Sequence, residues 1–175
     1  IYVAQVTMRT GSGCVETGKT LIDLLPHAIG TWDAILGPGT LAFDTNADPT
    51  RKSAIMRVPF REDKEGSVII NAQYIRNGLD PIPVRAILDT TTRPAGEDAQ
   101  FSMNINGKTL RRTRTRQPYE VTLHSDELSA VVNDPLTLSL ARFISGKPLI
   151  HGEHLLRQHT ILCDTMEAFY RANRQ

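Results

Sequence analysis

Gly13-Cys14-Val15-Glu16-Thr17-Gly18-Lys19-Thr20 spells a phosphate loop, in which backbone N–H groups wrap phosphate oxygens and a hydroxyl meets magnesium. That loop works only between a strand of a parallel sheet and a helix, with a later apolar strand ending in Asp, and the surrounding pattern reads as antiparallel. Leu88-Asp89-Thr90-Thr91 is close to the turn that carries an aspartyl-protease carboxylate. It lacks the glycine that lets the backbone bend under a carboxylate pair, so it reads as a strand end. His151, His154, His159 and Cys163 are metal-ligand types, and His159 and Cys163 lie one helical turn apart. An amphipathic helix already accounts for that spacing, so neither a metal nor a cofactor is expected. Serine, histidine and acids are present, but no nucleophile elbow marks a triad, and no catalytic residue is assigned.

The arginine run Arg111-Arg112-Thr113-Arg114-Thr115-Arg116, followed by Gln117-Pro118-Tyr119, carries more information. In a strand, side chains alternate, so Arg112, Arg114 and Arg116 share one face. Guanidinium groups in a row repel one another unless anions lie opposite. One reading is a solvated edge strand guarded by charge. The other is a phosphate-binding stripe, with Tyr119 available to stack on a base.

The elements that must carry these residues follow from hydrophobic periodicity. Ile1 to Met8 alternates as a strand and is followed by the turn cluster Thr10-Gly11-Ser12-Gly13. Cys14–Leu25 and Ile29–Ile35 read as further strands before Gly37-Pro38-Gly39 breaks the chain. Thr40–Asp44, Ser53–Phe60, Val68–Tyr74 and Val84–Thr91 follow, separated by turn signals such as Asn46-Ala47-Asp48-Pro49. Thr92–Thr109 is polar and reads as a loop or projecting hairpin. Tyr119–His124 is the last strand, after which the period changes. Ser125-Asp126-Glu127 offers a cap oxygen and first-turn acids, Pro135 starts a helix to about Ser145, and Gly146 closes it. Leu155, Leu156, His159, Leu162, Cys163, Met166, Phe169 and Tyr170 share one face of a final helix, which predicts a packing partner.

Composition agrees with one folded domain over residues 1–175, mainly strands in 1–124 and helical in 125–175. The chain is 40% hydrophobic and 22% charged, too apolar for a disordered segment. It has no run long enough to span a bilayer and no leader-like start, so a membrane is not expected. Its two cysteines make no disulfide framework. A net charge of +1 means that a nucleic-acid partner needs local clustering of base. The resulting fold class is α+β, an antiparallel meander followed by C-terminal helices.

This order resembles the coat proteins of small single-stranded RNA bacteriophages, the levivirus group. Asp48-Pro49-Thr50-Arg51-Lys52-Ser53-Ala54-Ile55-Met56-Arg57-Val58 is similar to that family's turn, basic pair and alternating strand. Thr115 to Leu123 is similar to its last strand before the helices, and Gly30-Thr31-Trp32 to an upstream aromatic segment. The resemblance requires an inserted hairpin around 66–107 and a lengthened tail. It implies a capsid protein that dimerises, self-assembles into a virion in the host cytoplasm and binds genomic single-stranded RNA. Arg51, Lys52 and Arg57 would match the family's basic strand and Tyr119 its stacking tyrosine, with Arg112, Arg114 and Arg116 adding phosphate contacts.

A second reading is a small β-barrel that binds an apolar metabolite, an isomerase- or cyclase-like enzyme. Its acid–base candidates are His27, Asp33 and Asp44.

Overall fold

The computed structural model describes residues 1–10, 17–42, 66–76, 79–90, 100–116, 119–148 and 150–172. In chain order the elements are β1 (Ala4–Thr10), α1 (Thr17–Leu36), β2 (Thr40–Ala42), β3 (Gly66–Ile75), β4 (Ile82–Thr90), β5 (Gln100–Ile105) and β6 (Lys108–Arg116). Then come β7 (Tyr119–His124), β8 (Ser129–Asn133), α2 (Pro135–Ile144) and α3 (Gly152–Ala172). The described strands join in one sheet, ordered β2-β3-β4-β1-β5-β6-β7-β8. The fold class is α+β, with helices closing the chain.

Alternation sets the two faces of the sheet. Ala4, Val6 and Met8 of β1, Val68, Ile70 and Tyr74 of β3, and Val84, Ala86 and Leu88 of β4 are buried on the same side. The intervening residues Thr7, Arg9, Ile69, Arg85 and Ile87 therefore face the opposite, open side. β1 pairs in parallel with β4, from Ala4↔Val84 to Thr10↔Thr90, and every other described pairing is antiparallel. A parallel pair needs a crossover connection, and α1 lies within it.

Here the structure departs from the expectation of strands over Cys14–Leu25 and Ile29–Ile35. Leu21, Leu24, Leu25, Ala28, Ile29, Trp32 and Leu36 are all buried, and their three- and four-residue spacing puts them on one helical stripe facing the sheet. Pro26 stands inside this helix on its exposed side. An interior proline costs about 3 kcal/mol through a lost hydrogen bond and a clash with the preceding turn. Burying a large apolar side chain gains about 1.5–3 kcal/mol, so the stripe outweighs the proline. Gly37, at φ 78, ends the helix by donating its N–H to Asp33 O at 3.0 Å.

Within 66–107, where an inserted hairpin is expected, β3 and β4 pair antiparallel between β2 and β1 and bring Val68, Ile70, Tyr74, Ile82, Val84, Ala86 and Leu88 into the core, and Asn106-Gly107 turns β5 into β6. Ser125 opens no helix. Its Oγ accepts from the N–H groups of Leu128 at 3.0 Å and Glu127 at 3.3 Å, which forms the turn into β8. The helix starting at Pro135 is present, with Asp134 Oδ1 accepting from Thr137 N at 3.1 Å, and Gly146 past its end at φ 72. α3 packs alongside α1 within the chain. Its buried residues are Ile161, Thr165 and Phe169, with Leu162 packed against the core; of the expected face, Leu162 and Phe169 thus pack, while Leu155, Leu156 and Tyr170 stay exposed.

Gly39 lies where the chain passes from α1 into β2, pressed against Tyr74. A β-carbon there would fall 2.6 Å from Ile75 O, and a backbone atom in a paired strand cannot easily yield. Gly39→Ala is expected to destabilise the fold by about 1–3 kcal/mol, as overpacking does elsewhere. Urea unfolding measures this; an unchanged midpoint would show that the β2–β3 contact is looser than described.

Candidate functional site

Three places gather chemistry-bearing side chains. The first is buried. Asp33, on the side of α1 that meets α3, is 8% exposed and accepts from Arg157 Nη2 at 2.6 Å, Gln158 Nε2 at 3.1 Å and Tyr74 Oη at 3.4 Å. Tyr74 Oη also donates to Gly37 O at 2.7 Å. Burial, followed by the negative charge of Asp33, pushes the Tyr74 phenol up to about 12. Asp33 is thus committed to an ion pair that ties α1 to α3 and β3, and it is not free to act as an acid–base group.

The second place is the solvent face of α1. Asp23 and His27 are both exposed, four residues apart. Side chains at that spacing stand one above the other, with β-carbons about 5–6 Å apart. Thr31 continues the stripe one turn on, its hydroxyl donating to His27 O at 2.8 Å. An exposed imidazole with a carboxylate one turn away brings together residue types that proton transfer can use, although no hydrogen bond or ion pair joins the two. Of the three acid–base candidates, His27 is therefore available and Asp33 is not. Asp44 lies outside the described residues. Asp23 goes unnoticed in the sequence because, in a strand, positions 23 and 27 would stand more than 10 Å apart at about 3.3 Å per residue.

The third place is the open face of the sheet. A cavity of about 680 Å³ lies over β4, β1, β5 and β6, lined among others by Thr7, Arg9, Asp89, Ser102, Arg111 and Thr113. Arg9 Nε and Nη2 both donate to Asp89 Oδ2, at 3.1 and 3.0 Å. Asp89 thus stands near the end of β4, as the strand-end reading of Leu88-Asp89-Thr90-Thr91 has it.

The structure divides the other predicted residues. β6 is a strand, and alternation separates Arg111 from Arg112 and Arg114. The guanidinium of Arg112 lies over the Phe101 ring, 5.1 Å from its centroid, on the side of the buried core. Tyr119 pairs with Arg116 at the start of β7 and is half-buried. The side chain of Arg116, and Arg51, Lys52 and Arg57 entirely, lie outside the described residues. In the phosphate-loop spelling, residues 13–16 are likewise outside. Thr20 is inside α1 and 0% exposed, and its Oγ1 has no hydrogen-bond partner among the described residues. A hydroxyl meant for magnesium must face solvent and phosphate, so this one does not serve that role. His151 and His154 stack edge-on at 6.3 Å, and Cys163 Sγ sits 3.6 Å from His159 Nε2. The four side chains form two pairs, and no group of three metal-ligating residues is found among the described residues.

No protein-family model matches the chain, and no curated protein matches it. Among solved structures, its fold is similar to the 1.63 Å crystal structure of a dehydrogenase (MviM) from Clostridium difficile, with a TM-score of 0.52 and 11% sequence identity. The likeness covers 96% of this chain and 55% of that one, so the chain spans about half the length of the dehydrogenase. This overturns the resemblance to RNA-bacteriophage coat proteins. That resemblance needs an unbroken meander, and α1 with its parallel crossover stands where the meander requires strands. Of the matched piece Thr115–Leu123, Thr115 and Arg116 end β6 and Tyr119 to Leu123 belong to β7, and β8 rather than β7 is the strand before α2.

Two outcomes test the buried cluster. Asp33→Ala leaves Arg157 without its carboxylate and is expected to cost about 3–5 kcal/mol in urea unfolding, because an uncompensated charge remains inside. The Tyr74 phenol keeps its proton in the folded chain when an unfolded chain would lose it. Folding stability should therefore decline as pH rises from 10.0 toward 12. Tyrosinate absorbance should show one of the four tyrosines titrating last, a step that Tyr74→Phe removes.

Proposed function

We propose that this chain is the sheet-and-helix domain of a dehydrogenase-type oxidoreductase, and that the Asp23–His27 stripe of α1 handles the proton of the reaction. The observation that carries the reading is the position of that pair. It stands in the open on a helix whose other side is locked into the sheet by buried residues from Leu21 to Leu36. A proton-transfer group needs an accessible tip on a rigid support, and α1 provides both. The dehydrogenase of similar fold supports the same class of reaction, at the level of fold.

Oxidising a carbinol moves a hydride, with its two electrons, from carbon to an external hydride acceptor and a proton from the attached oxygen to a base. The second task suits His27: Nδ1 or Nε2 accepts the hydroxyl proton, and the Asp23 carboxylate stabilises the imidazolium that results. In the reverse direction the same imidazolium protonates the carbonyl oxygen. A nicotinamide cofactor does not fit the described residues. A dinucleotide site is built on repeated parallel βαβ units with a glycine-rich turn, and here β1 and β4 make one parallel pair in an otherwise antiparallel sheet. The cofactor would be held by a separate nucleotide-binding part. Such a part would also cover the apolar surface of α2, where Leu136, Leu138, Leu140, Phe143 and Ile144 are exposed and no residue is buried.

Turnover of a panel of alcohols and their carbonyl counterparts, followed by nicotinamide absorbance, tests the proposal in the protein that carries this chain. His27→Asn is expected to lower kcat by about 10²–10⁴-fold with unchanged unfolding. Asp23→Asn should cause a smaller loss. Full activity in the His27 variant, or no turnover of any panel member by the parent protein, contradicts the reading.

A further inference from the structure

We propose that the open face of the sheet carries a second site, a receptor for a small polyanion bearing two or more phosphate or carboxylate groups. The site is the 680 Å³ cavity over β4, β1, β5 and β6. It lies on the side of the sheet away from α1, so it is independent of His27 and of the reaction assigned to it.

Charge and donors define the ligand. Arg9 is already neutralised by Asp89, and this fixed pair forms one wall of the cavity. Arg111 is exposed on β6, in register with Ser102 on one side and His124 on the other. It makes no hydrogen bond or ion pair among the described residues, so its planar fork of N–H donors points to an oxyanion from outside. Ser102 on β5 and Thr7 on β1 add hydroxyls beside it. Thr113, two residues along the same face, has its hydroxyl 2.6 Å from His124 Nε2. This contact fixes the hydroxyl and leaves the remaining hydrogen-bonding capacity of the oxygen toward the cavity. Arg112 and Arg114 also border the cavity, although alternation sends their side chains toward the other face and both make further contacts of their own.

Shape decides between a small ligand and a polymer. A cavity of this volume falls within the roughly 300–1,000 Å³ range of small-molecule sites. A nucleic-acid strand needs a continued stripe with stacking rings on the same face. The rings nearest at hand are already engaged: Phe101 borders the cavity but lies under the Arg112 guanidinium and packs with the core, His124 is held by the Thr113 hydroxyl, and Tyr119 sits opposite Arg116 rather than beside Arg111. Phosphate and carboxylate groups share the oxyanion chemistry that an arginine fork reads, so both are covered by the proposal.

Calorimetric titration at fixed ionic strength with pyrophosphate, and separately with citrate, tests the site. Saturable binding of at least one of them is expected. Arg111→Gln should weaken it by about tenfold or more, the scale of a lost charge-assisted hydrogen bond. Thr113→Val provides a second variant in which every charge is kept, and it should weaken binding less than Arg111→Gln. His27→Asn should bind as the parent does, which separates this site from the proton-transfer stripe. Tighter pyrophosphate assigns phosphates as the natural groups, and tighter citrate assigns carboxylates. Equal affinity in the parent and Arg111→Gln, no saturable heat with either probe, or binding of single-stranded RNA that pyrophosphate cannot displace would each overturn the proposal.

Discussion

The contact on which the rest depends is the seating of α1 on the parallel β1–β4 pair and β3. Trp32, Leu21, Leu25 and Ile29 bury completely against Val6, Ile70, Ala86 and Leu88. Everything functional is referred to that seat. It fixes the rotation of α1 about its own axis, and this rotation decides which side chains stay in water. Because Leu24 and Ala28 face inward, Asp23 and His27 must face outward. The same pleat that sends Val6 and Met8 to the helix sends Thr7 and Arg9 to the open face. Asp33 then clamps the arrangement: it lies on the flank of α1, and its bonds to Arg157 and Gln158 hold α3 against the first helix. An ion pair this buried is costly to desolvate and worth keeping only when its geometry is good, and a third donor in Tyr74 completes it.

The two faces of the sheet are unequal in kind. One is dry over β3, β4 and β1, where α1 covers it and α3 packs beside α1 and on β2. The other is polar, with Thr7, Ser102, Thr113 and His124 in neighbouring registers across β1, β5, β6 and β7. Antiparallel sheets commonly work this way, since one face can be left to water without cost to the core. In this chain that freedom leaves room for an anion receptor remote from α1. The division also places the proposed proton-transfer stripe and the proposed anion site on opposite sides, so neither constrains the residues of the other.

Much of this fold was legible in the residues, and the failures have physical causes. Val68–Tyr74, Val84–Thr91 and Tyr119–His124 alternate cleanly, and each lies within a residue or two of a strand. Asp134-Pro135 and Gly146 bracket α2 because capping chemistry is local. The first helix was hidden. Gly18, Pro26 and Gly30 disfavour helix, and the short apolar runs between them read as strands, although inward positions from Leu21 to Leu36 keep a helical spacing throughout. Parallel pairing of β1 with β4 depends on contacts some eighty residues apart in sequence and has no local signature. The site followed the fold. His27 was recognisable as an acid–base group, but its partner Asp23 becomes visible only once the segment is a helix. In the arginine run, alternation put Arg112, Arg114 and Arg116 on one face, and the cavity takes Arg111 from the other.

The central claim, that His27 moves the reaction's proton, is tested most directly by the pH dependence of kcat/KM for alcohol oxidation in the protein that carries this chain. A rate limb that rises with pH is expected in the parent protein, as general-base catalysis requires. That limb should disappear in His27→Asn while the residual rate persists. A limb of the same position and height in the His27 variant would place the base elsewhere and contradict the account.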